Sequence, residues 1–239
     1  MDSSSWWALL LDLDGTLIHT DSLHQSLWGE ILASYGIFLT KEEYCQRIAG
    51  RSDEEIWKEW GVGTREEQQH WNEWKEQSFL MRIQETVPIR GGRELVHDWI
   101  CAGQWVGVVT NSCSKIANAL IQRLQINDID VLITSDSGCA PKPSPEPYQK
   151  ALYELGIPSE RCMIVEDSDI GIQSAKQIKP ERLFRMTAPS LSHSSASSFL
   201  DTLSKHGEIP ISDFYDDLLK PPSLDHHLFQ FHHHNYHQK

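Results

Sequence analysis

Two aspartates separated by a single residue, Asp12 and Asp14, close a nearly continuous apolar run from Trp6 to Leu13 and are followed by Gly15 and Thr16. Side chains two apart on a strand share a face, so both carboxylates leave the strand end in the same direction. Two acids held that close repel unless a cation or a shared proton relieves them, and a divalent metal is therefore implied. Gly15 lets the backbone turn sharply just after them. Taken alone, Asp-x-Asp-Gly also fits an acidic turn after a strand. Further along, Lys142 stands in Ala140-Pro141-Lys142-Pro143-Ser144-Pro145, where a lysine would ordinarily be a solvated loop residue.

The elements that must position these groups follow from the apolar pattern. Trp6 to Leu13 suits a strand buried on both faces of a parallel sheet. Trp105 to Thr110, Val131 to Thr134, Cys162 to Val165 and Leu183 to Met186 have the same character. Helical stripes separate them: Leu95, Trp99 and Ile100; Ile116, Leu120, Ile121 and Leu124; Tyr148, Leu152 and Leu155. Alternation of this kind predicts right-handed βαβ crossovers, and with them a three-layer α/β/α, Rossmann-like core with a mostly parallel sheet. Open sheets of that type bind ligands beyond the carboxyl ends of their strands, where Asp12 and Asp14 fall.

From about Ile18 to Val87 the alternation breaks. No convincing strand is visible there, whereas Leu23, Leu27, Trp28, Ile31 and Tyr35 form one stripe and Ile56, Trp57 and Trp60 begin another. The expected organisation is a core of residues 1–17 and 89–220 with an inserted all-helical cap at 18–88, hinged near Ile18 and Pro88. Ser190 to Ser198 reads as loop, and Ile209 to Leu219 as a last short strand and helix. Residues 221–239 hold six histidines and little apolar period, which reads as a flexible tail without catalytic role, a metal-binding tail being the alternative.

Bulk properties limit the partners. A chain of 239 residues with 39% hydrophobic content can bury a substantial core, and a net charge of -13 disfavours nucleic acid and acidic membranes. Cys45, Cys101, Cys113, Cys139 and Cys162 are scattered, without the spacing of a zinc site or a disulfide framework. With no basic leader or long apolar stretch near Met1, the sequence reads as a soluble cytoplasmic protein, with a monomer the simplest state.

Asp12-Leu13-Asp14-Gly15-Thr16 resembles the first signature of the haloacid dehalogenase superfamily, and three more follow in order. Val109-Thr110-Asn111-Ser112 ends the second core strand, Lys142 sits in its proline-rich loop, and Glu166-Asp167-Ser168-Asp169-Ile170-Gly171 follows the fourth strand. The resemblance implies that Asp12 attacks phosphorus to form an aspartyl-phosphate, dividing one hard hydrolysis into two displacements. Asp14 would then protonate the leaving alkoxide and later take a proton from water, a second acid that the dehalogenases lack. Thr110, the Asn111 backbone and Lys142 would stabilise the phosphoryl oxygens. Magnesium would be held by Asp12, the Asp14 carbonyl and Asp167, with Glu166 a ligand or a water holder. Asp169 either joins this group or caps the helix that begins near Ile170.

The helical insertion resembles the cap of the β-phosphoglucomutase-like branch, whose members act on small phosphorylated metabolites. His24 and Trp28 match positions the mutase fills with the same residue types, although Trp28 also fits plain packing and His24 a position without substrate contact. Ala49 to Glu55 resembles the branch's substrate loop, yet Asp53 stands where the mutase has an arginine, and Arg51 is only nearby. Lys75 reads as a surface lysine, with part of a second anion site as the alternative. These features favour a magnesium-dependent phosphatase of small phosphate monoesters such as sugar phosphates. A phosphomutase is the alternative enzyme, and a silent binding relative the alternative class.

Overall fold

The computed structural model describes residues 7–186. The expected elements at 190–219 and the histidine-rich segment 221–239 lie outside the described residues. Five strands, β1 (Ala8–Leu11), β4 (Trp105–Val109), β5 (Val131–Ile133), β6 (Cys162–Glu166) and β7 (Arg182–Arg185), form one sheet in the order β5-β4-β1-β6-β7. Every neighbouring pair is parallel. The strand that leads into Asp12 is thus central, and its residues alternate between two apolar layers. Leu9 and Leu11 face one cluster with Val106, Val108 and Val165, while Ala8 and Leu10 face another with Val109 and Ile164.

Helices cover both faces. α5 (Gly92–Cys101) and α6 (Ser114–Leu124) bury Leu95, Trp99, Ile116 and Leu120 on one side. On the other, α7 (Glu146–Leu155) and α8 (Asp169–Ile178) bury Tyr148, Ala151 and Ala175. Strands buried on both faces require near-continuous apolar sequence, which is why these were readable without alternation. The run from Trp6 to Leu13 supplies only the four residues of β1, because Leu13 already accepts from the Leu17 amide at 2.9 Å in a turn.

Between β1 and α5 the chain adds α1 (Asp21–Ser34), α2 (Lys41–Arg47), α3 (Asp53–Trp60) and α4 (Arg65–Met81). Three of these helices start at capping boxes, Thr40 with Glu43, Ser52 with Glu55 and Thr64 with Glu67, each satisfying end amides from both sides. They share a small core of their own in which Trp28 packs edge-on to Trp57 at 5.1 Å. Leu23, Leu27 and Phe79 instead join the main cluster below.

One expectation needs correction: the segment 18–88 does contain strand. β2 (Ile18–His19) pairs antiparallel with β3 (Val87–Pro88), where the two connections were expected. Two-residue strands carry no apolar alternation, so only the tertiary crossing reveals them. Among the described residues, no helix is long and apolar enough to cross a membrane.

Candidate active site

The parallel register aligns Leu11 with Val108 on one side and Val165 on the other, so the three strands end together. The next residues along are Asp12, Val109 and Glu166, with Thr110 one step beyond Val109, and all four are buried. Asp12 is fixed by its amide, which donates to the Val165 carbonyl at 3.0 Å. Gly15 then adopts a φ of 81°, and a Cβ there would lie 2.1 Å from Asp167 Oδ2. A glycine is required both by the left-handed backbone and by the close approach of the acidic loop.

Lys142 is the hub. Its ammonium, 2% exposed, donates to Asp12 Oδ1 at 2.7 Å, to the Val109 carbonyl at 2.7 Å and to Glu166 Oε1 at 2.5 Å. All three donors are therefore used. Burial opposes its charge, but Asp12 and Glu166 outweigh that effect and raise its pKa, so it stays an ammonium. Asn111 positions the loop by accepting from the Lys142 amide at 3.0 Å and donating to its carbonyl at 3.2 Å. The same side chain donates to the Gly50 carbonyl at 2.9 Å, tying the α2–α3 loop to the sheet edge.

Glu166 is fully buried and spends its oxygens on protein donors. Tyr148 Oη donates to Oε1 at 2.6 Å and Ser168 Oγ to Oε2 at 3.3 Å, in addition to the Lys142 contact. Sequence reading assigned Tyr148 to a helix stripe and missed this role, since a tyrosine on an apolar face carries no signal of where its hydroxyl ends.

Asp14 has a separate environment. Oδ1 accepts from Thr20 at 2.7 Å and faces His24 Nε2 at 3.4 Å; Oδ2 accepts from Ser112 at 2.8 Å and Thr110 at 3.2 Å. Burial pushes this carboxyl up, but the bonds from His24, Thr20 and Ser112 and the His24 charge win and hold it at about 2. Asp12 behaves oppositely. Burial lifts it well above the usual carboxylate range, Lys142 opposes this, and Glu166, Asp167 and Asp14 add to the rise. Asp167 is lifted to about 8 by burial and by the Glu166 and Asp21 charges. Two neighbouring acids of the first loop are thus pushed in opposite directions in the metal-free protein, Asp12 toward the neutral form and Asp14 toward the carboxylate.

Ligand atoms of Asp12, Glu166 and Asp167 lie within 4.8 Å of one another. Three crowded carboxylates against a single lysine are a hard-oxygen donor set short of positive charge, and they fit magnesium. The Asp14 carboxylate is not in that cluster.

The remaining expected residues separate. His24 reaches Asp14 and stacks on Phe79 at 4.8 Å, while Trp28 is buried packing at 1% exposure. Asp12, Asp14, His24 and Arg51 line one cavity of about 1190 Å³, but the Arg51 guanidinium turns to the Gln46 carbonyl at 3.4 Å. Lys75 is not on the surface: it is 6% exposed, ion-paired with Asp53 and 5.1 Å above the Trp28 ring. Asp169 does not cap α8, because Ser168 accepts from the Gly171 amide at 3.0 Å instead; Asp169 is exposed and pairs with Arg185.

A five-stranded parallel sheet wrapped by helices, with a lysine and four acids at its central carboxyl edge, defines a Rossmann-like α/β protein with an acidic site at the strand ends. Residues 9–183 match the family model described as haloacid dehalogenase-like hydrolase, and the chain belongs to that family. The fructose-1-phosphate phosphatase YqaB of Escherichia coli is 26% identical over 177 residues, covering 70% of this chain and 90% of its own. Protein CbbY of Cereibacter sphaeroides is 29% identical over 182 residues, covering 71% and 79%. A crystal structure of a CbbY variant from Rhodobacter sphaeroides in complex with xylulose-(1,5)bisphosphate superposes with a TM-score of 0.69 at 25% identity, covering 84% of this chain and 96% of that one.

Proposed function

We propose that this protein is a magnesium-dependent phosphatase of small phosphate monoesters, sugar or related metabolite phosphates, acting through an aspartyl-phosphate on Asp12. The observation that carries the proposal is the meeting of Asp12, Asp14, Thr110, Lys142, Glu166 and Asp167 at one edge of the sheet, from four segments far apart in the chain. The phosphatase relatives give independent support for the reaction class.

In this reading an Asp12 oxygen bonds to phosphorus as the ester P–O bond breaks, and the departing alkoxide takes a proton from Asp14. Water then attacks the phosphorus of the acyl phosphate, returns a proton to Asp14 and frees inorganic phosphate together with the Asp12 carboxylate. Asp14 is charged in the free protein, so it must gain its proton with the substrate; a phosphate dianion brought beside it favours that protonation. Lys142 stabilises the equatorial oxygens through its charge, Thr110 through its hydroxyl once that turns from Asp14 to the substrate, and the Asn111 backbone is a further donor. Asp12, the Asp14 carbonyl and Asp167 would hold magnesium, which neutralises the charge that builds on the phosphoryl group during transfer. Glu166 serves mainly to anchor Lys142, and can hold a water of the ion.

The helices α1–α4 act as the cap of this proposal, with β2 and β3 as the connections on which they swing, and their closure excludes bulk water. A phosphomutase would share the chemistry of the first half-reaction. Release of phosphate from a panel of sugar monophosphates, dependent on Mg²⁺ and lost in Asp12→Asn, supports hydrolysis; bisphosphate-primed isomerisation without release contradicts it.

A further inference from the structure

The helical wall of the cavity carries an ion pair that the reaction itself does not use. Lys75, from α4, and Asp53, the first residue of α3, both line the cavity that contains Asp12 and Asp14. Lys75 is nearly inaccessible, its ammonium lies over the Trp28 ring, and its salt bridge is to Asp53 Oδ1. Lys115, which lines the same cavity from α6 on the sheet side, is likewise neutralised by Glu76 at 2.7 Å. Glu54 and Glu73 add further carboxylates to the lining.

We propose that the Asp53–Lys75 pair sets substrate class, selecting the uncharged polyhydroxyl body of a sugar or polyol monophosphate and rejecting a second phosphate. This rests on the phosphatase reading given above. A second dianion seated here must take Lys75 away from Asp53 and leave a half-buried carboxylate facing the new negative charge. A neutral polyol meets no such conflict. Lys75 has N–H groups left after the bond to Asp53, and Asp53 Oδ2 is left as an acceptor, so donor and acceptor stand side by side. That is the complement of two neighbouring hydroxyls, one accepting and one donating. Arg51 and Arg65, which also line the cavity, are the rival features: were either guanidinium to turn into it, as Arg51 would by leaving the Gln46 carbonyl, it would attract a second phosphate instead.

The test uses the full chain with Mg²⁺ and p-nitrophenyl phosphate as reporter, and measures inhibition constants for fructose 1-phosphate and fructose 1,6-bisphosphate in each protein. These probes share a sugar and differ by one phosphate. The wild-type protein is expected to bind the bisphosphate no more tightly than the monophosphate. Asp53→Asn, which keeps size but frees the lysine charge, should shift the ratio toward the bisphosphate by about tenfold or more, the scale of one contact to a charged group. Lys75→Gln should shift it the opposite way. A wild-type preference for the bisphosphate, an unchanged ratio in Asp53→Asn, or no competition by the monophosphate overturns the proposal. Absence of reporter hydrolysis in every protein is a different result, because it removes the phosphatase reading itself.

Discussion

Lys142 Nζ lies 2.7 Å from Asp12 Oδ1, inside a shell that leaves neither side chain appreciably exposed. In the proposed mechanism the pair joins the group that would attack phosphorus to the cation whose charge would steady the phosphoryl oxygens, so positioning and electrostatics cannot be separated there. Lys142→Ala should lower phosphate release by about 10²- to 10³-fold, the usual scale for loss of one preorganised charge donor. It should also cost about 3–5 kcal/mol of stability in denaturant titration, because Asp12 and Glu166 lose a buried counter-ion. A variant with near-normal turnover would show that the lysine is structural only.

Tyr148 supports that lysine at one remove, through Glu166. Tyr148→Phe should destabilise the protein by about 1–3 kcal/mol, leaving Glu166 Oε1 without its hydroxyl donor. The expected signature is a lower urea midpoint with unchanged slope. No change in midpoint would mean that the hydroxyl contributes nothing in the folded state.

How much of this was legible beforehand follows from the kind of signal each part leaves. The five core strands were readable because both faces of each are covered, which forces apolar runs such as Cys162 to Val165. Asp12, Asp14, Lys142 and Asp167 were readable because each sits in a short motif at a strand end or in a loop. Tyr148 and the burial of Lys75 were not, because both depend on what another segment presents across the fold. A lysine late in an amphipathic helix looks solvated until Asp53 and Trp28 are seen beside it. Ser168 displaced Asp169 as the cap by a single position, a margin that helix-start signals do not resolve.

Magnesium affinity should depend on pH with a definite sign. Asp167 is held at about 8 by burial and by the neighbouring Glu166 and Asp21 charges, so in metal-free protein it costs stability increasingly as pH rises from the ordinary carboxylate range toward 8. Below 8 a proton competes with the ion, and calorimetric titration should show affinity weakening on going down to pH 6, by about tenfold per pH unit for each proton displaced, Asp12 adding to the effect of Asp167. Equal affinity at pH 6 and pH 8.5 would mean that Asp167 does not change protonation when the ion binds.

Two glycines with similar backbones should behave differently. Gly15 and Gly36 have φ of 81° and 75°, yet a Cβ at Gly36 meets nothing within 4 Å while one at Gly15 would press on Asp167. Gly36→Ala should therefore show only the backbone cost, about 1–2 kcal/mol. Gly15→Ala should in addition displace Asp167, abolishing the thermal stabilisation given by Mg²⁺. Equal responses of the two variants to Mg²⁺ would contradict this.

The most direct measurement is mass spectrometry of acid-quenched protein after brief exposure to a turned-over phosphate ester and Mg²⁺. A peptide containing Asp12 should gain the mass of one phosphoryl group, the label should disappear with time as phosphate is released, and Asp12→Asn should never acquire it. Full turnover by the wild-type enzyme with no label at Asp12, or a label that persists in Asp12→Asn, would contradict the account.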